Sequence, residues 1–109
     1  METNNRLASI LSLASRAQKV VSGEESVEKA LQSGLCQLII ISGEASGNTK
    51  KKFTNKCHYY NTDIRTCGST EELSRAIGKR ARVVVAINDI GFARLLKDCL
   101  DDDGGENVN

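Results

Sequence analysis

The chain has 109 residues, 15 Lys and Arg against 14 Asp and Glu, four aromatic residues and no proline. That length suits one domain with its own core. No apolar run approaches the ~18 residues of a membrane span, and the N-terminus has neither a basic nor an apolar signal region, so secretion and membrane insertion are not expected.

The near-neutral balance hides an asymmetry. Asp101, Asp102, Asp103 and Glu106 stand in a final stretch without a base, which leaves residues 1–100 with 15 bases, 10 acids and a net charge of +5. A basic body with a short acidic tail is compatible with a polyanionic partner, and equally with a solvated surface. The four cysteines, Cys36, Cys57, Cys67 and Cys99, form no C-x-x-C pair. They read as small buried hydrophobes in a reducing cytoplasm, with no metal site and no cofactor.

Leu7, Ile10, Leu11, Ala14 and Ala17 recur at helical spacing and predict a first helix over 4–18. Residues 19–22 read as a short strand. The stretch that follows organises the chain: Ser22 and Gly23 turn it, and a helix runs over 24–33 with Val27, Ala30 and Leu31 inward and Gly34 as its C-terminal glycine. Ser22 and Glu25 have capping-box spacing. Gly23 permits positive φ or a close approach, and free N–H groups at a helix start attract anions. The turn is therefore either an ordinary strand-to-helix connection or a surface that grips a phosphate backbone.

Residues 35–41 form an apolar, β-branched run and read as a strand covered on both faces. A turn over 42–48 leads to a helix over 49–60, with Phe53, Cys57 and Tyr60 on one side and Lys50, Lys51, Lys52 and Lys56 on its first half. Residues 64–67 form a short strand. Ser69 and Glu72 again have capping-box spacing, opening a helix that carries Leu73, Ala76 and Ile77 and ends at Gly78. Residues 83–87 read as a second fully buried strand, 88–91 as a loop, and Phe92, Leu95, Leu96 and Cys99 as the inner face of a last helix. The domain is expected over 1–100, with a disordered acidic tail over 101–109. The alternation predicts an α/β fold, a three-layer α-β-α sandwich around a small sheet.

Catalysis finds little support. The single histidine, His58, follows Cys57 directly, and adjacent helix positions point apart. Gly43 and Gly47 are separated by three residues, not the four of a P-loop, and Lys and Ser/Thr are displaced. Too few aromatics are present for a single-strand stacking platform. What remains is recognition of structured RNA by backbone contacts and a few base-edge contacts. Lys29 is suited to guanine O6 or N7, and Lys19 and Lys50 to phosphates. The lysine run at 50–52 also fits an ordinary solvated helix face.

The motifs Leu13-Ala14-Ser15-Arg16-Ala17-Gln18-Lys19, Ser22-Gly23-Glu24-Glu25, Lys29-Ala30, Ser33-Gly34, Ala76-Ile77-Gly78-Lys79 and Val84-Val85-Ala86-Ile87-Asn88-Asp89 together resemble the kink-turn-binding ribosomal-protein family of archaea and eukaryotes, and its small bacterial members of the YlxQ type. The similarity runs over residues 6–97. It implies a four-stranded mixed sheet between helices, and binding of kink-turn RNA, in which a bulge beside tandem sheared G·A pairs bends the duplex. The contacts it implies are Gly23, Glu24, Glu25, Ser26 and Lys29 at the turn, with Ser22 before it. A second loop, Ile87, Asn88, Asp89, Ile90 and Gly91, would cover an extruded nucleotide. The family reads Gly-x-Asn-Glu-x-x-Lys where this chain has Glu25 and Ser26 in place of Asn and Glu. An ionised Glu25 only accepts hydrogen bonds, so it either contacts a base amino group or is engaged in the cap with Ser22. The implied protein is a monomer, a non-enzymatic cytoplasmic component of ribosome or other RNA–protein assembly, partnered by structured RNA and by ribosomal or other RNA-binding proteins. The competing expectation is a protein-interaction module that keeps the fold and has lost RNA affinity.

Overall fold

The computed structural model describes residues 2–108, with side chains described for residues 6–101. Its elements in order are α1 (Glu2–Arg16), β1 (Val20–Ser22), α2 (Glu24–Ser33), β2 (Leu38–Ser42), α3 (Gly47–Tyr60), β3 (Asp63–Cys67), α4 (Thr70–Ala76), β4 (Val84–Ile87) and α5 (Ile90–Val108). The four strands form one mixed sheet in the order β1-β4-β2-β3. β4 runs antiparallel to both β1 and β2, while β2 and β3 are parallel.

The two central strands, β2 and β4, are buried along their whole length. This is why they read as unbroken apolar runs: each face of the sheet has helices to meet. Strand alternation sorts their side chains. Leu38, Ile40, Val85 and Ile87 pack with Leu7 and Leu11 of α1, Leu73 of α4 and Leu96 of α5. Ile39, Ile41, Val84 and Ala86 pack on the other face with Val27 and Leu31 of α2 and Phe53 and Cys57 of α3. The result is the expected three-layer α-β-α sandwich.

Strand direction decides what gathers where. β1, β2 and β3 all point one way and β4 points back, by the registers Val20↔Ile87, Leu38↔Ile87 and Leu38↔Asp63. The C-terminal ends of β1, β2 and β3 therefore share one end of the sheet, here called the upper end, and α2, α3 and α4 all start there. α5 starts at the lower end and runs upward beside the edge strand β3. Two ion pairs tie them: Lys97 to Asp63 at 2.7 Å and Arg65 to Asp101 at 2.7 Å.

Several boundaries differ from the sequence reading. β2 begins at Leu38, because Gly34 ends α2 in a left-handed conformation (φ 82°) and Leu35 follows it exposed. Tyr60 is also exposed. On α5 Ala93, Leu96 and Cys99 are buried and Phe92 packs against the same core as expected, but Leu95 faces out at 48% exposure. The α5 backbone continues beyond Leu100, and Asp101 is held by Arg65. The acidic side chains of the tail beyond Asp101 lie outside the described residues.

Candidate nucleic-acid interface

Gly23 is the pivot between β1 and α2. Its N–H donates to the Val84 carbonyl at 3.0 Å, and it sits at φ 92°, ψ 150° as the N-cap of α2. No side chain caps this helix. The Ser22–Glu25 capping box expected from spacing does not form, because Ser22 belongs to β1 and pairs with Val85. Glu25 instead lies 3.8 Å from Lys29, one turn on, with both side chains open to solvent. The first turn of α2, at Glu24, Glu25 and Ser26, thus presents uncapped N–H groups at the positive end of the helix dipole.

The acids of α2 do not all face outward. Lys52 of α3 meets Glu24 at 3.3 Å and also pairs with Glu28, and the Thr49 hydroxyl reaches Glu24 at 3.5 Å. The Lys52 hydrogen bond holds the Glu28 carboxyl below its ordinary range, and the same bond raises Lys52. One lysine therefore neutralises much of the negative charge beside the turn and fixes α2 against α3. Lys50 lies on the first turn of α3, half-buried, near the same upper end.

The upper end also receives the segment over 77–83 that joins α4 to β4. Arg82 is its key residue. The Nη1 of its guanidinium lies 3.2 Å from the place a Cβ on Gly23 would occupy. Its Nε is buried without a hydrogen-bond partner among the described residues. The Arg82 backbone is clamped by Ser74, whose hydroxyl accepts from the Arg82 N–H at 2.7 Å and donates to the Arg82 carbonyl at 3.2 Å. Lys79 and Arg80 precede it, both exposed. Arg82 thus meets the uncapped start of α2, while Lys79 and Arg80 lie on the surface beside Glu44 and Thr70 at the start of α4.

The second loop of the sequence reading lies elsewhere. The Asn88 N–H donates to the Lys19 carbonyl at 2.8 Å, so Lys19, Asn88, Asp89, Ile90 and Gly91 gather at the lower end. They are separated from Gly23 by the length of β1, ~13 Å at the usual strand rise. Ile87 is fully buried in the core. Asp89 caps α5 by accepting from the Phe92 N–H at 2.9 Å. Asn88 Oδ1 is buried without a hydrogen-bond partner among the described residues, and Ile90 is exposed at 62%. The structure therefore gathers Ser22, Gly23, Glu24, Glu25, Ser26, Lys29 and Lys50 at the upper end, places 87–91 at the lower end, and brings Arg82 of the segment 77–83 beside Gly23. The cation-rich Lys79-Arg80-Ala81-Arg82 run was legible in the sequence. Its side of the sheet was not, because that depends on β4 being antiparallel to both neighbours.

The thiols are free and buried. Burial pushes Cys36 and Cys67 up to about 11 and Cys57 up to about 12, so they stay protonated at neutral pH. Among the described residues no group of three or more His, Cys, Asp or Glu is placed to hold a metal ion, and no helix is long and apolar enough to cross a membrane.

Known proteins share this arrangement. The chain is 48% identical over 92 residues to the RNA-binding protein YlxQ of Bacillus subtilis (strain 168), covering 84% of this chain and 92% of that protein. A solved protein of unknown function from Bacillus halodurans superposes with a TM-score of 0.85 at 43% identity, covering 88% of this chain and 97% of that one. The Giardia lamblia 15.5kD RNA binding protein has the same fold, with a TM-score of 0.75 at 16% identity, over 96% of this chain and 90% of that one. Residues 5–97 match the model of the ribosomal protein L7Ae/L30e/S12e/Gadd45 family, and the chain belongs to that family.

Proposed function

We propose that this chain is a non-enzymatic RNA-binding protein that recognises kink-turn or similarly bent RNA as a monomer, in the cytoplasm, during ribosome or other RNA–protein assembly. The observation that carries the reading is the contact of the Arg82 guanidinium with Gly23 at the uncapped start of α2. Phosphate oxygens accept from free N–H groups and from cations, and both are supplied here on one rigid corner. Lys29 follows on the exposed side of α2, where its ammonium reaches a guanine edge in the groove that the turn enters. The YlxQ relative is named as an RNA-binding protein, which supports the same class of partner. Bent RNA suits the site, because a turn with uncapped N–H groups, Arg82 beside Gly23 and Lys29 on α2 offer contacts to backbone and base edges together.

Glu25 favours a second reading. Its carboxylate is exposed beside Lys29 and partly neutralises it, as expected of a module that keeps the fold but binds protein in place of RNA. Titration calorimetry at ~0.1 M salt separates the two. A kink-turn duplex should bind with submicromolar affinity, and the same RNA with its G·A pairs made Watson–Crick should bind far more weakly. Equal or absent binding to the two RNAs would overturn the RNA reading and favour the module. Log affinity should also fall linearly with log salt, as phosphate contacts release counterions.

A further inference from the structure

We propose that the lower end of the sheet, opposite Gly23 and Arg82, is a docking surface for an acidic, apolar-flanked peptide segment of a protein partner. The centre of this surface is a cavity of about 200 Å³ between the start of α5, the α3–β3 turn and the α2–β2 link. It is too small for the drug-sized ligands that fill pockets of ~300–1,000 Å³, and suits one side chain. Its walls carry Gln37, Asn61, Thr62, Ile90, Ala93 and Arg94. Asp63 and Lys97 also line it but are spent on each other at 2.7 Å. The exposed Arg94 guanidinium and the Gln37 and Asn61 amides make no hydrogen bond among the described contacts. The groups left over are the Arg94 guanidinium, which only donates, and two amides that donate and accept, with one net positive charge. A carboxylate is the complementary guest, and Arg94 receives it bidentately.

The apolar surroundings decide between a protein and a nucleic acid. Leu35 is 61% exposed and Ile90 62%, and Tyr59 is 80% exposed. Leu35 adjoins the lining residue Cys36 in the chain, and the Tyr59-Tyr60 pair adjoins Asn61. The core does not use these side chains. Exposed aliphatic groups gain nothing from a phosphate backbone, whereas Arg94 and exposed Ile90 at one small cavity, with Leu35 and Tyr59 one and two residues along the chain from its lining, fit the Tyr- and Arg-enriched composition of protein interfaces. The charge argument then fixes the partner's chemistry: an Asp or Glu entering the cavity, with aliphatic or aromatic neighbours lying on Leu35 and Ile90. Because this end lies across the sheet from the proposed RNA contact, both partners fit at once.

The test uses the full chain, isotope-labelled, titrated with an acetylated and amidated peptide Ile-Leu-Asp-Glu-Leu and with its Asn/Gln counterpart. Chemical shifts are read with and without kink-turn RNA. The acidic peptide should shift the amides of Gln37, Asn61, Ile90 and Arg94 at ~1 mM or below, and the neutral peptide should bind about tenfold more weakly. Arg94→Glu, a surface change, should abolish the shifts and leave RNA affinity within about twofold. Equal binding of the two peptides, shifts confined to the Lys79–Arg82 end, or shifts at the lower end with single-stranded RNA in place of peptide would each overturn the proposal. Loss of RNA binding in the unmodified chain would sink the kink-turn reading alone, since the peptide shifts are read without RNA as well.

Discussion

Gly23→Ala isolates the contact on which the RNA reading rests. At φ 92°, ψ 150° the residue lies in a region that essentially only glycine occupies, and a side chain there costs ~1–3 kcal/mol. The new Cβ would also lie 3.2 Å from Arg82 Nη1, the far end of a flexible side chain, so the guanidinium moves and adds little to the cost. Loss of glycine's freedom in the unfolded chain offsets ~0.4–1 kcal/mol. The net destabilisation is about 1–2 kcal/mol, a fall of roughly 4–15 °C in Tm for a domain of this size. Gly34→Ala is the control. Gly34 has φ 82° but nothing within 4 Å of its Cβ position, and it lies at the other end of α2. Its cost is the ordinary left-handed penalty of ~1–2 kcal/mol less the same offset. Urea unfolding with unchanged m-value measures both variants, and calorimetry with kink-turn RNA separates them. Gly23→Ala should lose at least about tenfold in RNA affinity while Gly34→Ala loses almost none. Equal RNA affinity in the two variants would refute the argument.

Further outcomes follow from the same geometry. Arg82→Ala should weaken RNA binding and reduce the steepness of its salt dependence by about one unit, read from log affinity against log salt. Glu25→Asn should raise RNA affinity, because it removes a carboxylate beside Lys29, while changing stability by no more than ~0.5 kcal/mol, since the pair is exposed. The lowered Glu28 carboxyl contributes stability that is present above the ordinary carboxylate range and lost as pH falls through its folded value. Lys52→Met should therefore flatten the acid side of the stability–pH curve below about pH 4.5, measured by urea unfolding at several pH values. The buried thiols should resist a thiol reagent at neutral pH until the chain unfolds, and rapid labelling of the native protein would contradict their burial.

The fold was legible in the sequence because its two central strands are covered on both faces, and such strands announce themselves as apolar runs. The same local pattern was less secure where tertiary pairing competes with it. Ser69 and Ser22 each precede a Glu by three residues. Ser69 does cap its helix, accepting from the Glu72 N–H at 3.1 Å, whereas Ser22 is held in β1 by Val85 and leaves the cap position to Gly23. Leu95 looked inward by hydrophobicity alone, but Ala93 fits against the sheet and Leu95 does not. The turn at 22–26 was singled out from its glycine and lysine, and the structure places Gly23 there as the N-cap of α2. The loop over 87–91, expected on the same surface, lies at the other end of the sheet, because strand polarity is a property of pairing that no local residue pattern encodes.

The two ion pairs between α5 and β3 also specify alignment. Four helical residues rise ~6.0 Å and two strand residues ~6.6 Å, so Lys97 and Asp101 match Asp63 and Arg65 rung for rung. The charges alternate along each element. Sliding the helix back by one turn would set Asp101 against Asp63, and sliding it forward would set Lys97 against Arg65. Each exposed pair adds little stability by itself, yet together they penalise every neighbouring alignment. They act as a ratchet tooth for the helix, and they leave two charged side chains on an outer strand, where they discourage another chain's strand from adding to the sheet.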